Sequence, residues 1–250
     1  MQISVFDSYE SMSLKLAQDI IDRLKPISRP VFCVASGESP TGLYRELIKR
    51  HQEKQLDVSD WFFLGLDEWI GLDKNDEGSC RNMLERDLFL PLQVKEDHIC
   101  FFDGKTNDPV RECRRVEEFI AGKGQVDLAV LGLGMNGHVG MNEPGTSPDI
   151  LSHIAVLDLV TKQVGQKYFT KPRQLNEGIT LGIGTLMRTK HLSLVVNGQK
   201  KAKIAERVIR GEIGKEVPAT WLRNHPDFTI YMDADAAGAL YSDPQTGSIF

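Results

Sequence analysis

The sequence predicts an α/β fold: a single domain built on a doubly wound, mostly parallel sheet with helices on both faces, in a modified Rossmann-like arrangement. Three observations predict it. Short, almost wholly apolar runs such as residues 31–35 and 126–133 recur along the chain, as strands buried on both faces require. Amphipathic stretches alternate with those runs. A length of 250 residues with 41% hydrophobic content, and no internal repeat, low-complexity tract or linker, suits one domain over residues 1–250 better than two small ones.

Each element follows from its local pattern. Residues 8–24 place Met12, Leu14, Leu16, Ile20, Ile21 and Leu24 at helical spacing and stop before Pro26. Residues 31–35 form the next strand, followed by the turn Ser36-Gly37-Glu38-Ser39-Pro40 and a helix over about 41–55. The apolar run 61–66 is a strand ending at Asp67-Glu68-Trp69. A helix near 80–88, a strand at 99–102, a charged helix over 109–121 and the strand 126–133 continue the alternation. Apolar runs at 154–157, 178–186 and 191–196, a helix over 201–210 and a strand at 228–232 complete it.

Composition removes several classes of function. The net charge is −5, and the short cluster Lys200, Lys201, Lys203 is the one basic block, so nucleic acid is not an expected partner. Cys33, Cys80, Cys100 and Cys113 show no metal spacing and read as reduced thiols, so a metal is not expected. No segment approaches the roughly 18 apolar residues of a membrane span and the first residues carry no basic leader, so a cytoplasmic protein is expected. Self-association into a homo-oligomer stays open.

In an open α/β sheet, ligands bind beyond the carboxyl ends of the strands, which gathers three turns into one place. The first, residues 36–41, offers hydroxyls and a glycine ahead of a helix N-terminus; it suits a phosphate, and equally an ordinary N-cap turn. The second, Asp67-Glu68, ends an apolar strand, so burial should raise a carboxyl pKa toward that of a useful base. The third follows the strand 126–133: Gly132-x-Gly134-x-x-Gly137 has the glycines of a dinucleotide fingerprint, and Asp158 stands at the ribose-ligand spacing. Yet Gly140, Pro144 and Gly145 occupy the place of the helix the fingerprint needs. The stretch therefore reads as a catalytic loop, with His138 as an acid or base near neutral pH, Glu143 to orient it and Asn136 two residues before it.

With these residues in view, Leu66-Asp67-Glu68-Trp69 and the loop from Gly132 through Asn136, Gly137 and His138 to Asn142-Glu143-Pro144-Gly145 resemble the aminosugar-6-phosphate deaminase family. The Gly-Ile-Thr-Leu-Gly segment at 178–182 is similar too, and the likeness runs through nearly the whole chain. The 6-phosphogluconolactonases are more distant cousins that usually carry Arg in place of Trp69 and lack the Asn-Glu-Pro-Gly ending; a lactone hydrolase is the alternative. A binding protein that kept the fold and lost the chemistry would be expected to lack Asp67, His138 or Glu143, and all three are present.

The resemblance implies conversion of an aminosugar 6-phosphate and water to a ketohexose 6-phosphate and ammonia without a cofactor. His138, oriented by Glu143, would open the pyranose, and Asp67 would carry a proton between C2 and C1. Ser36, Gly37, Ser39 and Lys201 would hold the phosphate, with a second cation from Arg173 or, in competition, Lys167. Many members have Asp where this chain has Asn136, whose amide oxygen is expected to accept from the imidazole. The stretches 66–69, 78–80 and 178–182 look more similar to galactosamine 6-phosphate relatives than to the glucosamine type, which more often has Tyr after the Asp-Glu pair.

Overall fold

A computed structural model describes residues 1–241; residues 242–250 of the single domain expected over 1–250 lie outside the described residues. Seven parallel strands make the main sheet: β1 (Gln2–Phe6), β2 (Val31–Val34), β3 (Phe62–Gly65), β5 (Ile99–Cys100), β6 (Leu128–Gly132), β9 (His191–Val196) and β10 (Phe228–Asp233), in the order β1-β10-β9-β6-β2-β3-β5. From β2 the chain winds outward through β3 to β5, and from β6 it winds the other way through β9 to β10. The switch point is the β2–β6 pair, whose loops leave a crevice.

The alternation of side chains across the strands divides the core in two. Phe32, Val34 and Phe63 face α1 (Tyr9–Leu24) and α2 (Thr41–Gln52), against Leu16, Ile20, Leu43 and Leu47. Cys33, Leu64 and Leu131 face the other side, where α4 (Pro109–Lys123), α7 (Ala202–Arg210) and α8 (Ala234–Tyr241) contribute Val116, Ile204, Val208 and Ala236. Ser8 closes the start of α1 by a reciprocal capping box with Ser11, and Leu14, on the opposite side of that helix from Leu16, is exposed.

The structure departs from the sequence reading in four places. Asp67 does not simply end β3: the chain kinks at Leu66 and enters β4 (Asp67–Trp69), the edge of a second, antiparallel sheet ordered β4-β8-β7. The run 154–157 corresponds to β7 (His153–Val156) of that sheet, outside the parallel one. The run 178–186 splits into β8 (Glu177–Thr180) and one helical turn, α6 (Ile183–Leu186), because a buried apolar stretch looks the same in strand and helix. Residues 80–88 become α3 (Cys80–Leu84) and a π turn over Glu85–Phe89. The β1 and α8 elements, and α5 (Leu159–Gly165), were too short or too weakly patterned to be read.

The two sheets are stitched together at Leu66, whose N–H donates to Val34 O (3.1 Å) and whose carbonyl accepts from Leu181 N–H (3.0 Å). Asp67 therefore sits at their junction, above the carboxyl end of β3. Among the described residues no helix is long and apolar enough to cross a membrane.

Candidate active site

One cavity at the carboxyl ends of β2, β3 and β6 is lined by Ser36, Gly37, Ser39, Asp67, His138 and Lys201, together with Trp69, Cys80, Thr161 and Lys167. Another groove, on the solvent side of α4 beside Arg111 and Glu118, collects none of the candidate residues.

Asp67 and Glu68 are adjacent on a strand and so point opposite ways. Asp67 looks into the cavity; burial raises its pKa to about 6, with the Cys80 thiol and the charge of His138 pulling back. Glu68 is turned away and wholly buried. Its Oε1 accepts from Trp69 N–H (2.8 Å) and Cys80 N–H (2.9 Å), and its Oε2 from Arg81 N–H (2.9 Å). Burial pushes it to about 7 even against these three donors. One carboxylate is left for chemistry, and the other ties β4 to the start of α3.

The loop after β6 is a chain of tight turns with no helix behind Gly137, as its glycines and proline require; Gly134 N–H closes on His138 O at 2.9 Å. Asp158, at the ribose-ligand spacing, instead caps α5 by accepting from Val160 N–H. Gly134 is required for close approach: a Cβ there would stand 2.4 Å from His138 Nε2, so the imidazole lies directly on the backbone. Asn142 is buried and pins the loop by donating through Nδ2 to Val139 O and Leu181 O, each at 2.8 Å.

His138 Nδ1 lies 3.5 Å from Glu143 Oε2 and 3.0 Å from Thr161 Oγ1. Glu143 is within reach to orient the ring, and Thr161 is closer. Burial pushes the Glu143 carboxyl up, but His138, Thr161 and Asn136 outweigh it and hold the pKa below the ordinary range. The expectation for Asn136 needs correction: its Oδ1 accepts from the His138 backbone N–H (3.1 Å), not the imidazole, while its Nδ2 donates to Glu143 Oε2 (2.8 Å). The amide serves as a bracket between loop backbone and carboxylate, because two residues of separation bring it under the main chain of His138 and not beside the ring.

The phosphate side is formed by the turn 36–40 before α2. Gly37 adopts φ 95°, a left-handed conformation, and a Cβ on it would meet the Tyr168 hydroxyl at 2.9 Å. No side chain caps α2, although the Tyr9 hydroxyl accepts from Gly42 N–H (2.7 Å), so Ser36, Gly37 and Ser39 remain the groups facing the cavity. Lys201 donates to Leu133 O; burial lowers its pKa to about 8, with the neighbouring charge of Lys167 adding to the effect. Lys167 lines the cavity and pairs with Glu38 at 2.8 Å. Arg173 is not brought to this lining: it is about half exposed, with its guanidinium 3.8 Å from Asp76. No group of three or more His, Cys, Asp or Glu among the described residues is placed to hold a metal ion.

Sequence reasoning missed Thr161 and Tyr168. Both belong to the segment from α5 to the 3-10 turn Gln166–Tyr168, whose start was signalled only by Asp158 ahead of Leu159 and Val160.

A family model for glucosamine-6-phosphate isomerases/6-phosphogluconolactonase matches residues 7–231. Among curated relatives, a glucosamine-6-phosphate deaminase of Thermoanaerobacter pseudethanolicus is 32% identical over 241 residues, covering 96% of this chain and 95% of the relative. One from Oceanobacillus iheyensis is 34% identical over 237 residues, covering 94% and 95%. A solved monomeric glucosamine-6-phosphate deaminase superposes with a TM-score of 0.92 at 32% identity, over 96% of this chain and 100% of that one. The 6-phosphogluconolactonase of Trypanosoma brucei, at 17% identity and a TM-score of 0.78 over 96% and 98% of the two chains, shares the fold. The chain belongs to the family of glucosamine-6-phosphate isomerases and 6-phosphogluconolactonases.

Proposed function

We propose that the protein isomerises and deaminates an aminohexose 6-phosphate, giving a ketohexose 6-phosphate and ammonia. The observation that carries this reading is the presence of two proton carriers, Asp67 and His138, in one cavity with the turn 36–40 and two lysines. His138 moves a proton from the anomeric hydroxyl to the ring oxygen and opens the pyranose. Asp67, ionised above about pH 6, takes the C2 proton of the open chain and returns it to C1. The enolamine becomes an imine at C2, water adds there, and the C–N bond breaks to release ammonia. Ser36, Gly37, Ser39 and Lys201 grip the phosphate, and Lys167, already in the cavity, supports the role of second cation better than Arg173. Trp69 and the Asn142-Glu143-Pro144-Gly145 ending favour this reading over lactone hydrolysis. The deaminases at about a third identity support the same choice.

The test is ammonia release from glucosamine 6-phosphate and galactosamine 6-phosphate, run beside hydrolysis of a 6-phosphogluconolactone. Ammonia from neither epimer, with lactone turnover, would overturn the reading. For the C4 epimer we propose galactosamine 6-phosphate, on the resemblance of residues 66–69, 78–80 and 178–182; Trp69 and Cys80 from these stretches line the cavity. If kcat/KM favours glucosamine 6-phosphate by more than about tenfold, roughly 1.4 kcal/mol, the epimer assignment fails while deamination stands.

Lys201→Ala should raise KM about 10- to 100-fold with a smaller change in kcat, since a remote phosphate contact worth roughly 1.5–3 kcal/mol binds ground and transition states alike. It should also change the pH profile. With Lys201 at about 8, wild-type kcat/KM falls as pH rises through that value and the ammonium loses its charge. Ionisations of the substrate are common to both enzymes, so the part of the alkaline limb that disappears in Lys201→Ala belongs to Lys201. An unchanged KM and an unchanged limb would place the phosphate elsewhere.

A further inference from the structure

We propose that Thr161 is a positioning residue that holds the proton of neutral His138 on Nδ1 and leaves Nε2 free to act first as a base. This rests on the deaminase reading only for its kinetic consequence.

The Nδ1 side of the ring meets two oxygens. Glu143 Oε2 is 3.5 Å away, beyond the usual 2.7–3.2 Å of an N–H···O bond, while Thr161 Oγ1 is at 3.0 Å. Thr161 is buried, 6% exposed, so its hydroxyl has no bulk water to satisfy it. A hydroxyl has one proton and two lone pairs. Glu143 is an acceptor, and the Thr161 hydroxyl is among the groups that hold its carboxyl below the ordinary range. One arrangement serves all three groups: Nδ1–H donates to Thr161 Oγ1, and the Thr161 hydroxyl donates to the Glu143 carboxylate. The opposite arrangement, with the hydroxyl donating into Nδ1, takes that donor from Glu143 and moves the ring proton to Nε2.

In the favoured arrangement the carboxylate acts on the ring through the hydroxyl. Nε2, lying against Gly134 with no hydrogen bond among the described residues, can take the anomeric proton and hand it to the ring oxygen. Because Thr161 lies on α5, and the 3-10 turn carrying Lys167 follows directly, the segment that brings a cation to the phosphate side also sets the state of the ring-opening group.

The experiment compares wild type with Thr161→Ser, which keeps the hydroxyl, and Thr161→Val, which removes it at nearly constant volume; Thr161→Ala replaces the Val variant if that fails to fold. Long-range 1H–15N correlation on histidine-labelled protein reads the tautomer, and His138→Gln assigns its signals. Wild type and Thr161→Ser should show the Nδ1–H tautomer of His138, and Thr161→Val a mixture. In kinetics on the cyclic substrate, Thr161→Val should lower kcat about 10- to 100-fold with KM changed less than about threefold, and Thr161→Ser should recover to within about threefold of wild type. A pure Nδ1–H tautomer in a folded Thr161→Val protein would overturn the proposal, because Glu143 would then suffice alone. Equal damage from Ser and Val would do so too, as the mark of a packing role. If the wild type releases no ammonia from either epimer, the functional reading fails and the tautomer measurement alone decides.

Discussion

Replacing Asp67 by Asn is expected to lower kcat by about 10²- to 10⁴-fold while raising the stability of the protein at neutral pH. The first effect follows from the proposed reaction, in which its carboxylate, placed in the cavity, takes a proton from carbon, and loss of a general base has that size. KM should change little, because the phosphate grip is built from other residues. The second effect follows from burial, which raises its pKa from 3.8 to about 6. A group whose pKa is raised in the fold contributes stability that is fully present below its unfolded value and is lost as pH rises through the folded one. At pH 7.5 the buried charge of Asp67 therefore costs on the order of 3 kcal/mol relative to a neutral group, and Asn removes that cost. The variant should melt several degrees above wild type at pH 7.5, with the gap closing toward pH 4. Near-normal turnover would remove Asp67 from the reaction. An unaltered Tm at pH 7.5 would mean that the carboxylate is well solvated in the cavity.

The site was more legible in the sequence than the path of the chain through it. Gly140, Pro144 and Gly145 forbid a helix after Gly137 whatever the tertiary context, so the absence of a dinucleotide-type helix there needed only local backbone chemistry. The position of Asp67 at a strand end was legible from the apolar run before it. That it opens a second, antiparallel sheet was not, because β4 is three residues long and its partner β8 lies about 110 residues further on. Pairing of that kind depends on long-range packing that no window of sequence contains. The same limit hid Thr161, which meets His138 across 23 residues through a helix of seven. Arg173 illustrates the opposite limit: a cation at a plausible spacing carries no information about which side of its segment faces the cavity, and the short turn before it places Lys167 in the lining instead.

Removing the Glu68 side chain should be the most destabilising single change near the site. Glu68→Ala leaves the N–H groups of Trp69, Cys80 and Arg81 without their acceptors in a region where Glu68 itself is fully buried. Each unsatisfied buried amide costs roughly 1–3 kcal/mol, so a loss of about 3 kcal/mol or more is expected in urea unfolding. Glu68→Gln should behave differently, because it is the isostere of the protonated carboxyl. Its amide oxygen can keep the Trp69 and Cys80 donors, and its NH2 faces Arg81 N–H as the O–H of a protonated Glu68 would, while the cost of the buried charge is removed. The pH dependence separates this account from simple cavity formation. Because the Glu68 pKa is raised from 4.5 to about 7, wild type gains stability as pH falls through 7 toward 4.5, and Gln, which does not titrate, gains none. Gln should therefore be the more stable of the two above pH 7, where wild type carries the buried charge, and the gap should close toward pH 4.5. Activity should follow the same tie: with β4 released from α3, Asp67 and Cys80 lose their alignment and kcat falls even where the protein remains folded. A Glu68→Ala protein as stable and active as wild type would show that water or a shifted backbone satisfies the three amides, and that the carboxylate beside the base does not position it.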